Sequence, residues 1–249
     1  MMTAGVDLHL PLHAPSYPEG IGEGCVNVVP RFTEWPMVCG YVRLDAGPRS
    51  FKARMETKAM LAGALWKALG PGAHHVTQGA QRAGAQIVSG GLGRPLLAVR
   101  GSRLTNVSFA YSDADLWAVM CCPMWSCGID VAWPQEFGAD YPYHRVFSRE
   151  ELSDTVKIMG CDRGEAAALL WTAKEAVVKA GGCGFHLVDP RDVRVAVIHG
   201  RETVCELQAC ITNRRGAPPA RSNEIRATVH SARSGRYWVS VVMIYSDAP

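Results

Sequence analysis

The chain has no apolar run long enough to cross a membrane. Its longest, such as "YWVSVVMIY" at 237–245, has the length of a strand, against about 20 residues for a spanning helix. No basic region precedes an apolar stretch near the N-terminus, so no signal peptide is expected and the reading places the protein in the cytoplasm. There are nine cysteines but no C-x-x-C pair, and the one cluster, "CCPMWSC" at 121–127, has no histidine near it. A thiolate metal site therefore lacks ligands at the usual spacing, and buried, reduced thiols are expected instead. A strong excess of charge is also missing. The formal net charge of +3 is too small to argue for nucleic acid but suits an anionic small ligand or an acidic partner. No internal repeat is visible.

What the chain does have is apolar content. Of its 249 residues 48% are hydrophobic and 20% charged, enough to bury a core and to build one large domain or two small ones. Residues 1–48 are rich in Pro and Gly and read as strands and loops. "FKARMETKAMLAGALWKALG" reads as a helix stopped by Gly70-Pro71, with Met55, Ala59, Ala62, Leu65, Trp66 and Leu69 on one face. A polar, Gly-rich stretch follows, ending at "GGLGRP". "LTNVSFAYSDADLWAVMCC" and "CGIDVAW" read as strands joined by "PMWS". Ser148 followed by Glu151 predicts a capping box that opens a helix. "GEAAALLWTAKEAVVKAGGCGF" is the strongest helical segment, and "EIRATVHSARSGRYWVSVVMIY" reads as a hairpin after a polar, basic loop, "TNRRGAPPARSN". Helix followed by strands in each half predicts an α+β (mixed α/β) fold divided near residue 125, into an N-terminal half of 1–125 and a C-terminal half of 126–249.

The chemistry concentrates in the strong helix. Trp171, Glu175 and Lys179 lie four residues apart on one stripe, with Glu175 and Lys179 in the favourable order for an ion pair. Read alone, this pair is equally a surface salt bridge worth a few tenths of a kcal/mol. Gly181, Gly182 and Gly184 follow at once, and a glycine-rich backbone can end the helix or approach a ligand closely. Asp130 ends the apolar run "CGID" on an expected strand, as a turn former or a metal ligand. A carboxylate on a strand and another on a helix can meet around one magnesium ion, which takes oxygen ligands and keeps room for water and phosphate. A lysine one turn away could reach a diphosphate.

Four segments then agree in order and spacing with a known family: "GRP" at 93–95, "GID" at 128–130, "FSREE" at 147–151, and W-x-x-K-E-A-x-x-K at 171–179 followed by "GGCGF". Over about 90–190 the chain resembles the 4'-phosphopantetheinyl transferases, of the larger single-chain, surfactin-synthetase-activating type. The resemblance implies a pseudo-dimer of two similar α/β halves with the active site between them, acting as a monomer. It implies transfer of the phosphopantetheine arm of coenzyme A to a serine of an acyl or peptidyl carrier protein, in fatty acid, polyketide or nonribosomal peptide synthesis. Adenosine 3',5'-bisphosphate leaves. By the same resemblance Asp130 and Glu175 hold magnesium, with Glu151 in support. Lys179 contacts the diphosphate, and Lys174 and Arg94 bind coenzyme A. Arg54 and Lys58, at helical spacing on the first helix, stand in a region that family members use for the 3'-phosphate. The serine is a weak nucleophile that needs a base, and the leaving diphosphate needs its growing charge neutralised. Two carboxylates alone would repel that substrate, so a cation is required.

The chain departs from the family at two places. Where the family has a phosphate-binding His, Tyr111 stands here, and a phenol donates a hydrogen bond without carrying charge near neutrality. Where the family often has an acid two residues after its Asp, this chain has Ala132. These positions separate an active transferase from the alternative, a relative that binds coenzyme A or a carrier protein without transfer.

Overall fold

Alternation of side chains along strands, and one apolar stripe on each long helix, dictate a layered molecule, and the computed structural model shows four layers. It describes residues 26–29, 37–43, 51–69, 86–90, 94–98, 105–112, 115–121, 125–201, 203–212 and 225–245. Parts of the N-terminal fifty residues and nearly all of the basic loop before the final hairpin lie outside them. The elements of the first half are β1 (Val26–Val29), β2 (Met37–Arg43), α1 (Phe51–Leu69), β3 (Gln86–Ser89), β4 (Pro95–Ala98), β5 (Thr105–Tyr111) and β6 (Asp115–Cys121). Those of the second are β7 (Trp125–Ala132), α2 (Tyr143–Val146), α3 (Arg149–Met159), α4 (Arg163–Ala180), β8 (Val193–Arg201), β9 (Val204–Ile211), β10 (Ile225–Ser234) and β11 (Tyr237–Tyr245). One sheet has the order β1-β2-β6-β5-β4-β3 and the other β7-β11-β10-β9-β8, with every neighbouring pair antiparallel. The chain passes from one sheet to the other between Cys121 and Trp125.

Each sheet carries its helix on one face and meets the other sheet on the opposite face. Leu61, Ala62 and Leu65 of α1 pack on Leu97, Val107, Leu116, Ala118 and Met120. Between the sheets lie Met37, Cys39 and Tyr41 of β2, Trp117 and Val119 of β6, and Ile129, Val131, Val239 and Val241 of the second sheet. On the far side α4 is buried along most of its surface, with α3 beside it. The fold is α+β, as the sequence predicts. Among the described residues no helix is long and apolar enough to cross a membrane.

The predicted helices form where expected. Ser148 caps α3: its Oγ accepts from the Glu151 amide at 3.0 Å while the Glu151 carboxylate accepts from the Ser148 amide. Asp162 caps α4. The final hairpin is β10–β11, turning at Gly235 with φ +58°. One expectation is corrected: "LTNVSFAYSDADLWAVMCC" is two strands. Ser112 and Asp115 exchange backbone hydrogen bonds, and the turn folds β5 against β6.

Candidate active site

The strand that begins the second half positions the first functional side chain by parity. Along β7, Cys127, Ile129 and Val131 point into the core between the sheets, so Gly128, Asp130 and Ala132 face α4. Gly128 is where strand and helix touch. A Cβ there would stand 1.9 Å from the Ala176 carbonyl oxygen and 2.8 Å from the Ala180 amide nitrogen. Only glycine allows the backbone of α4 to sit this low on the sheet. That contact brings the same turn of α4, with Glu175 and Lys179 at its ends, over Asp130. Sequence reasoning missed this role of Gly128, although a glycine inside a strand pattern is itself a signal of close backbone approach.

The expected trio meets there. Lys179 Nζ lies 2.6 Å from Asp130 Oδ1 and 3.9 Å from Glu175 Oε2, and it also donates to the Ile129 carbonyl at 3.1 Å. Asp130 and Glu175, 45 positions apart in the sequence, thus share one ammonium group. Burial raises the Asp130 carboxyl to about 7; Lys179 pulls it down and Glu175 pushes it up. Burial likewise raises Glu175, against the pull of Lys179. Two crowded carboxylates beside a single cation form a cluster that would gain from more positive charge.

Trp171, one turn earlier on the stripe, packs against Phe185 with ring centroids 5.2 Å apart. The glycines end the helix: Gly182 has φ +70° and its amide bonds the Lys179 carbonyl, while that of Cys183 bonds Val178. Arg94, immediately before β4 in the other half, donates from Nη2 to the Ala180 carbonyl at 3.2 Å. It therefore lies at the C-terminal end of α4, one residue past Lys179, where a cation suits the helix dipole.

Two expected site residues are elsewhere. Lys174 and Glu151 meet each other instead of phosphate and metal. Lys174 Nζ lies 2.9 Å from Glu151 Oε2 and donates to the carbonyls of Val146, Pro190 and Val193 at 3.1, 3.0 and 2.6 Å. Glu151 Oε1 accepts from the Val195 amide at 2.8 Å, so both carboxylate oxygens are in use. Lys174 is 1% exposed, and burial lowers its pKa while Glu151 raises it. This pair ties α4 to α3, to the end of α2 and to the start of β8. It faces away from the Asp130 stripe because position 174 is rotated about 100° from position 175 on the helix.

Lys58 and Tyr111 meet on the α1 side of the first sheet, with the ammonium 5.3 Å from the Tyr111 ring and 5.2 Å from that of Phe109. Tyr111 is exposed. The Arg54 side chain lies outside the described residues. Ala132 is buried in the α4 core.

The donor set bears on magnesium. Among the described residues no group of three or more His, Cys, Asp or Glu side chains is placed to share a metal. Two hard carboxylate oxygen donors fit the way magnesium binds, with one or two protein carboxylates and the rest of the octahedron left to water and phosphate. No curated protein matches the chain. Residues 126–240, which contain Asp130, Glu175 and Lys179 and run from β7 into β11, match the model of the 4'-phosphopantetheinyl transferase superfamily, and this part of the chain is similar to that superfamily.

Proposed function

We propose that the protein transfers the 4'-phosphopantetheine group of coenzyme A to a serine of an acyl or peptidyl carrier protein. The observation that carries this reading is the convergence of Asp130, Glu175 and Lys179 on one point, within a segment similar to the superfamily. Asp130 and Glu175 would hold a magnesium ion. When bound, that ion offsets the negative charge of the diphosphate. Lys179 supplies a second positive group from the same helix turn and can swing between the carboxylates and a phosphate oxygen. Arg94 brings a guanidinium from the other half to the end of α4. The serine hydroxyl attacks the phosphorus nearer the pantetheine arm and gives its proton to water, the bond to the nucleotide breaks, and adenosine 3',5'-bisphosphate departs with the negative charge. Burial of the carboxylates strengthens each of these interactions by lowering the local dielectric.

The test is incubation of the protein with labelled coenzyme A, magnesium and an apo carrier protein. Label is expected on the carrier only when magnesium is present. Glu175→Gln should lower transfer at least a hundredfold with the melting temperature little changed. A fully active Glu175→Gln enzyme would remove Glu175 from the site.

A further inference from the structure

Three hydroxyl groups with no exposure at all, Thr172, Ser231 and Ser240, form a chain inside the apolar layer between α4 and its sheet. Thr172 Oγ1 lies 2.9 Å from the Leu169 carbonyl oxygen and 2.7 Å from Ser240 Oγ, which lies 2.6 Å from Ser231 Oγ. A carbonyl only accepts, so the Thr172 proton goes to Leu169. Ser240 must then donate to Thr172, and Ser231 to Ser240. At the far end Ser231 is the register partner of Cys205 on β9, whose thiol burial pushes up to about 12. The chain has one direction and links β10, β11 and α4.

Its location gives it a use. Ser240 is the register partner of Asp130 across the β7–β11 ladder. Thr172 precedes Glu175 by three residues, one turn of α4. The face that α4 lays on the sheet is rich in alanine, with Ala166, Ala173, Ala176 and Ala180 all buried. Apolar contact of this kind is non-directional, and the directional tie from Lys174 reaches this sheet only at β8, the edge opposite β7. A hydroxyl pair at 2.7 Å is directional. A slip of a single residue moves a helical side chain about 1.5 Å along the axis. Magnesium holds its oxygens at about 2.0–2.1 Å in near-octahedral geometry, so an error of that size would break a site shared by strand and helix.

We infer that the Thr172–Ser240 hydrogen bond, backed by Ser231, fixes α4 on the sheet and so sets the separation of Asp130 and Glu175, making Thr172 and Ser240 positioning residues for the divalent cation. This rests on the proposed metal site. Thr172→Val replaces the hydroxyl with a methyl group of similar size, and Thr172→Ser keeps the hydroxyl. Ser240→Ala breaks the same contact from the sheet side and serves if the valine variant folds poorly.

The readout is Mn2+ binding, followed by electron paramagnetic resonance in the presence of coenzyme A, alongside thermal melting. Thr172→Val and Ser240→Ala should each weaken Mn2+ binding about tenfold, the scale seen when an outer-shell group is removed from a metal site. Thr172→Ser should bind as the wild type does. Ser148→Ala, a lost helix cap remote from this chain, should lower the melting temperature and leave Mn2+ binding alone. Valine and alanine variants that melt earlier yet bind Mn2+ as the wild type does would overturn the inference and leave the proposed function standing. A wild-type protein that binds no Mn2+ would bring down the metal-site reading itself, and the inference with it.

Discussion

At the scale of the residue, two adjacent side chains on one helix part company. Glu175 belongs to the half-buried stripe over Asp130, whereas Lys174 is enclosed and holds Glu151. Losing one partner of a buried pair leaves an uncompensated charge, which costs about 3–5 kcal/mol. Lys174→Ala should therefore cost about that much in urea unfolding, and a Lys174→Met, Glu151→Leu double variant should recover only part of it, because the carbonyls of Val146, Pro190 and Val193 and the Val195 amide lose their partners. If the single variant is as stable as the wild type, the lock has no structural weight. The stripe 171–175–179 was legible because period and charge order both announce it. Lys174 was not, since a lysine next to a carboxylate motif gives no sign of which way it points. That Glu151 follows Ser148 in a capping box was the one hint that its backbone, at least, was already committed. His230 makes a second residue-scale prediction. Burial holds its imidazole down at about 4 from an ordinary 6.5. The unfolded chain then takes up a proton that the folded one refuses, so His230 withdraws stability as pH falls from 6.5 towards 4. Over that window the wild type should lose about 3 kcal/mol relative to His230→Phe. The comparison cancels the opposite contribution of Asp130, whose raised carboxyl is common to both proteins. Parallel stability curves for the two would refute it.

At the scale of the element, the site depends on how closely α4 lies on β7. Gly128 sets that distance, because an added Cβ meets the backbone of Ala176 and Ala180, which cannot rotate aside. Gly128→Ala should cost about 3 kcal/mol, at the upper end of the range for overpacking, and should lift Glu175 and Lys179 away from Asp130. Unfolding in urea together with Mn2+ binding checks both effects; an alanine variant of wild-type stability would mean that the contact relaxes freely. The long helices were legible from apolar periodicity and caps: Ser148 with Glu151 and Gly182 after α4 mark ends that side chains and φ angles impose. The strands were harder. β5 and β6 are both largely buried, so no alternation separates them, and the Ser112–Asp115 turn carries no glycine. β8 and β9 went unread although β9 alternates cleanly in burial, with Cys205, Leu207, Ala209 and Ile211 inward. Their polar outward residues and moderate hydropathy gave a weaker signal than the runs of the final hairpin.

At the scale of the whole molecule, the second sheet is apolar on both faces along β7 and β11, and each half therefore needs the other. α4 covers one face. The other presents Cys127, Ile129, Val131, Tyr237, Val239, Val241 and Met243 to the first sheet. Polar contacts cross the same interface: Asn106 Nδ2 donates to the Trp125 carbonyl at 2.7 Å, and Ser108 Oγ accepts from the Ile129 amide at 3.2 Å, meeting the free edge of β7. Arg94 adds a third tie, reaching the end of α4 from immediately before β4. The layering followed from the sequence only in outline, because period-2 patterns tell which residues share a face but not which sheet covers it. The similarity to a transferase superfamily begins at residue 126, which invites treating the second half as a unit, yet its inner face argues against independent folding. A fragment spanning 125–249 retains Asp130, Glu175 and Lys179 but bares a contiguous apolar face of a kind soluble monomers rarely expose. Such a fragment should aggregate or bind a hydrophobic dye strongly, and should transfer no label to a carrier protein. Mixing it with a separately produced 1–124 fragment should reduce dye binding as the inter-sheet core re-forms. A 125–249 fragment that stays monomeric and dye-free would show that the first sheet, with its ties from Asn106, Ser108 and Arg94, is dispensable for the fold of the second.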